Sequence, residues 1–145
     1  MSILAVALSV ILLGIALLHA LWGLRVWWPI ADEVRLARTV VGERDISHMP
    51  APAACFAVAG AVLAGAALPW LLTHRALLPD RIATLALFAA ATFALVFLLR
   101  GLAGFTQRFA SVFPEEPFRG LDRKYFSPLC LLLGGGFSLL VIWSF

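Results

Sequence analysis

The chain has 145 residues, 63% of them hydrophobic and 13% charged, with a formal net charge of +3. A soluble domain carries about 25% charged and about 45–50% apolar residues, so the composition excludes an ordinary water-soluble core under a polar surface and points to lipid as the solvent. The small positive charge is no nucleic-acid signal, because nearly every Lys and Arg falls between apolar runs, where basic residues set membrane topology.

The first apolar run extends from Ile3 to about Leu24 and contains one ionisable side chain, His19. It reads as a retained helix and not as a signal peptide: no Lys or Arg precedes it, it is too long, and no small-x-small cleavage pattern follows. The first loop, 25–51, opens on Arg25, Trp27, Trp28 and Pro29, a grouping suited to the membrane interface, where amphipathic rings settle. Asp32 can cap a short helix running to Val41. Val34, Ala37, Val40 and Val41 would share one side of it, laid along the membrane surface, and Gly42 would end it.

The second run, about 53–73, has no charge and many small residues. Ala57, Ala61 and Gly65 are spaced by four, as are Gly60 and Ala64. That pattern lets helix backbones approach closely in lipid. A short turn around His74 to Arg81 makes the second and third helices antiparallel neighbours. The third run, about 82–102, carries Arg100 near its end. A third loop follows, with Arg108, Glu115, Glu116, Arg119, Asp122, Arg123 and Lys124. The last run, 127–145, has no charge and is about the minimum length for a span. In its middle, Gly134, Gly135 and Gly136 permit either a bend or a close helix contact. Cys55 and Cys130 lie alone in apolar runs, without a CxxC partner, and read as inert thiols.

The expected architecture is all-α: one integral membrane domain over residues 1–145, with four transmembrane helices in an antiparallel bundle (about 3–24, 53–73, 82–102 and 127–145) and a short interfacial helix in the first loop. The first loop carries Arg25, Arg35, Arg38 and Arg44, and the third carries Arg108, Arg119, Arg123 and Lys124, against Arg75 and Arg81 in the second. The excess of basic residues places the first and third loops in the cytoplasm and both termini outside, in a bacterial inner membrane.

Depth then groups the polar residues. His19, with Trp22 one turn later on the same side, Arg100, Asp122 and Tyr125 all fall near the cytoplasmic boundary. An antiparallel bundle could bring them to one pocket, with His19, Asp122 and Tyr125 as acid–base groups and Trp22, Arg100 and Ser127 as ligand contacts. Blander readings stand beside this one. Arg100 can snorkel to headgroups, Asp122 can be its salt-bridge partner holding the third loop to the bundle, His19 can be a hydrogen-bonded structural group, and the tryptophans and Tyr125 can be interfacial anchors. The other half of the membrane holds no ionisable side chain, which argues against proton-coupled transport and against small multidrug exporters that rely on an acid within a span. His19, His48 and His74 are far apart, so no metal cluster is expected. No cofactor is implied either; His19 alone would be a single haem ligand.

The stretch from Leu121 to Gly134, with Asp122, Tyr125, Ser127, Pro128, Leu129 and Cys130, resembles the signature of a bacterial membrane family catalogued as domain of unknown function 3995. The resemblance extends to His19 and Trp22 near the end of helix one and to Arg100 closing helix three. Where many members carry Tyr directly before Ser-Pro, this chain has Phe126. The resemblance implies the architecture and the site residues, without a reaction. Two functions stay open. One is a membrane pocket for a lipophilic small molecule, with or without isomerase-like acid–base chemistry. The other is a non-enzymatic scaffold or accessory subunit, packing through small-residue helix faces as a homo-oligomer or on a membrane partner protein. Membrane lipids are partners in both, and nucleic acid in neither.

Overall fold

The structure, a computed structural model, describes residues 3–144. Among them there are helices and no strands. Four helical stretches are long and apolar enough to cross a membrane: Ile3–Gly23, Pro52–Thr73, Asp80–Ala103 and Phe118–Ile142. We number the helices α1 (Ile3–Gly23), α2 (Glu33–Val40), α3 (Pro52–Thr73), α4 (Asp80–Ala103), α5 (Gln107–Val112), α6 (Phe118–Leu121) and α7 (Ser127–Ile142), with a 3-10 turn at Arg75–Leu77 and a π turn at Asp122–Phe126.

The bundle is built from two pairs, α1 along α3 and α4 along α7, with α3 meeting α4 across the short turn. Leu8, Leu12, Ala90, Leu133 and Phe137 are buried where the pairs meet. Lipid tails are as apolar as these side chains, so close packing supplies the association energy in place of water expulsion. Small residues permit it. A Cβ on Gly134 would lie 2.9 Å from the Leu98 nitrogen and 3.0 Å from the Ala94 carbonyl, and one on Gly136 would meet Leu8. The glycine run therefore makes close contacts on two sides, to α4 and to α1. Gly65 likewise packs under Phe93 of α4, whereas Ala57, Gly60, Ala61 and Ala64 on α3 remain exposed. Ser9 Oγ adds an interhelical hydrogen bond to the Ala66 carbonyl at 2.8 Å.

The short helix α2 forms as expected. The Asp32 carboxylate accepts from the Arg35 N–H at 2.6 Å, satisfying one of the free donors of the first turn, and Gly42 at φ +71 turns the chain away. Three of the four residues expected on its apolar face pack inward, Ala37 buried and Val40 and Val41 partly so, with Leu36 added to them. Leu36 and Ala37 are buried against Trp22, Met49 and Cys55, and Val34 is exposed. Protein, more than membrane surface, receives this face.

The last span begins earlier than the apolar run suggests. Pro128 has no N–H to continue the helical ladder, and the Ser127 N–H reaches five residues back to the Asp122 carbonyl. This π turn joins α6 to α7, so helical backbone runs from Phe118 to Ile142. The first and third connectors also touch. The Glu115 N–H donates to the Gly42 carbonyl at 3.2 Å, the Asp45 N–H donates to Glu115 Oε1 at 3.2 Å, and Arg38 pairs with Glu115 at 3.9 Å. Phe118 lies so close to Gly42 that a Cβ there would collide with its ring. Both connectors therefore occupy the same face of the molecule.

Candidate functional site

Two polar clusters lie at this connector face. The first joins the end of α4 to the π turn. Arg100 Nη2 donates to Asp122 Oδ1, Arg100 Nη1 donates to Ser127 Oγ at 3.3 Å, and Ser127 Oγ donates to Asp122 Oδ2 at 2.8 Å. Asp122 is 1% exposed and Ser127 fully buried, while the Arg100 side chain is 33% exposed. The Arg100 guanidinium carbon also stands 4.5 Å from the centre of the Phe109 ring, within cation–π range. The triangle presses against the end of α4: a Cβ at Gly104 would strike both Ser127 Oγ and Asp122 Oδ2. Both carboxylate oxygens are occupied and the charge is matched, which a buried acid requires. This arrangement clamps the third connector to α4. Acid–base use of Asp122 would first have to break it.

The second cluster joins α1 to α3 and the first connector. The His19 and Trp22 rings meet at a tilt of 56°, with centres 5.0 Å apart. The Trp22 indole donates to the Trp28 carbonyl at 2.9 Å, which ties the connector back onto α1. His19 Nδ1 lies 2.9 Å from the Ile15 carbonyl. A carbonyl only accepts, so Nδ1 carries the hydrogen, and in the neutral ring Nε2 keeps its lone pair. No hydrogen-bond partner for Nε2 is present among the described residues. The ring borders a cavity of about 220 Å³ whose walls include Trp22, Val41, Met49, Cys55 and Val58. Cys55 Sγ donates weakly to the Pro50 carbonyl at 3.8 Å.

The residues marked from sequence thus fall into three places. Arg100, Asp122 and Ser127 meet. His19 and Trp22 meet elsewhere, and the residues around their cavity include none of the first three. Tyr125 stands 52% exposed beneath the Lys124 ammonium, 5.1 Å from its ring centre. Sequence reasoning missed Met49, Cys55 and Val58 as cavity walls. Cys55 and Val58 share a helix face three residues apart, but nothing local to the sequence aims that face at His19. Among the described residues no three His, Cys, Asp or Glu side chains are grouped to hold a metal ion.

These observations define a multi-pass membrane protein of four spans, with the two polar clusters described above at one end. The chain belongs to the family described as protein of unknown function (DUF3995), whose profile matches residues 12–137. The match covers His19, Trp22, Arg100, Asp122, Tyr125 and Ser127. No curated protein and no solved structure matches the chain.

Proposed function

We propose that the protein binds a small lipophilic molecule in the His19–Trp22 cavity. The observation that carries this reading is that the His19 ring, whose Nε2 has no hydrogen-bond partner among the described residues, borders an otherwise apolar cavity. Ligand sites commonly combine apolar walls with a few convergent polar groups, and an ionisable side chain within a span marks function more often than a surface one does. At about 220 Å³ the space is smaller than the roughly 300–1,000 Å³ of a drug-sized site. It suits a single ring or the head of a longer chain. The lone pair favours a ligand with an O–H or N–H to donate, and His19 is the group there able to move a proton. The excess of basic residues in the first and third connectors favours a cytoplasmic position for this end, with both termini outside, in a bacterial inner membrane.

The competing scaffold reading has its own support in the exposed Ala57, Gly60, Ala61 and Ala64 of α3, where nothing lies within 4 Å of a Cβ placed on Gly60. One experiment separates the two. Wild type, His19→Ala and Gly60→Leu are purified in mild detergent and weighed by native mass spectrometry. Binding predicts a small-molecule adduct on wild type and Gly60→Leu that His19→Ala loses while keeping its helicity. An adduct retained by His19→Ala, or none on wild type, overturns it. A subunit lost only from Gly60→Leu establishes the scaffold.

A further inference from the structure

The third connector encloses a second cavity, of about 240 Å³, that belongs to neither of the roles above. Phe109, Phe113 and Phe118 line it, and Arg119 and Arg123 stand exposed at its rim. The three rings touch one another, with centres 4.6 to 6.4 Å apart. The charge around the cavity leans positive, because two of the connector's three acids are paired with arginines and the third, Glu116, is not among the cavity walls. Glu115 pairs with Arg38 and accepts from the Asp45 N–H, Glu116 accepts from the Gly120 N–H at 3.2 Å, and Asp122 is locked to Arg100 and Ser127. No bases of the connector are so engaged: Arg108, Arg119, Arg123 and Lys124 have no carboxylate within 4 Å among the described residues.

We propose that this cleft binds the phosphate of an anionic phospholipid, held by Arg119 and Arg123 with the first carbons of the lipid's acyl chains against the phenylalanine rings. Guanidinium groups match phosphate oxygens in charge and geometry. The phenylalanine rings on one side favour a lipid over free phosphate, as does the position of the cleft where α4 leaves its span, with exposed Phe105 and Val112 nearby. Asp122 also borders the cleft, but it is 1% exposed and its carboxylate is held by Arg100 and Ser127. The inference is independent of the His19 cavity, and a His19→Ala protein should bind the lipid unchanged.

The test titrates the detergent-purified protein with phosphatidylglycerol and with phosphatidylcholine of the same chains, reading bound lipid by native mass spectrometry. Phosphatidylglycerol should bind more tightly. Arg119→Ala/Arg123→Ala should weaken it roughly thirtyfold, at about fivefold for each cation, while Arg75→Ala/Arg81→Ala, which loses the same charge from the other connector, should leave it unchanged. Equal loss in the two double variants, equal binding of the two lipids, or full displacement by excess inorganic phosphate would each overturn the proposal. Arg81, Arg119 and Arg123 are exposed and Arg75 partly so, and unaltered thermal unfolding confirms that the variants are folded.

Discussion

Removing either end of the Arg100–Asp122 pair leaves a different orphan. Arg100→Ala strands a carboxylate that is 1% exposed, and breaking such a pair costs about 3–5 kcal/mol. Asp122→Ala strands a guanidinium that is already one-third open to water and can swing its head to the boundary, so the loss should be smaller. Unfolding of the two variants in mixed micelles measures this directly, and the asymmetry is wrong if Asp122→Ala proves equally damaging. The pairing itself was one of the readings open from sequence. The role of Ser127 was not. Its hydroxyl reaches Asp122 because a π turn brings it there, and the proline at 128 hints at a disturbed helix without saying which side chains the disturbance joins.

The four spans were legible because each is a run of about twenty apolar residues, a signal that depends only on bilayer thickness. The cap of α2 was legible for a similar reason, since Asp32 acts on a donor three residues away. Most of the face α2 buries was legible too, through Ala37, Val40 and Val41, but Leu36 was not, because it is selected by Trp22, Met49 and Cys55, all distant in sequence. The short turn foretold α3 beside α4, but nothing local showed the more extensive pairs, α1 with α3 and α4 with α7. Gly134 tests the pairing of α4 with α7: Gly134→Ala places a methyl against the Leu98 nitrogen and the Ala94 carbonyl, where backbone cannot yield as a flexible side chain would. We expect a loss of about 1–3 kcal/mol, the usual cost of overfilling a packed contact. Gly135→Ala, which meets nothing within 4 Å, should cost nothing measurable in the same unfolding assay.

For the molecule as a whole, contact between the first and third connectors requires that they share one side of the membrane. Cysteine replacing Arg44 and cysteine replacing Arg123 should react with a membrane-impermeant maleimide from the same side, and cysteine replacing Leu77, 81% exposed in the second connector, from the other. Labelling of the first two from opposite sides would contradict the fold, and their reaction from outside intact cells would reverse the proposed orientation. The depth of the polar residues was readable from their positions along each span. Their direction around each helix was not, and so His19 and Asp122, alike in depth, line separate cavities. The ion pair also bears on biosynthesis. Arg100 precedes Asp122 by 22 residues, so the ribosome delivers the cation first. When the carboxylate emerges, its counter-ion is already stationed at the end of the preceding span, and the nascent hairpin need never present an isolated acid to hydrocarbon.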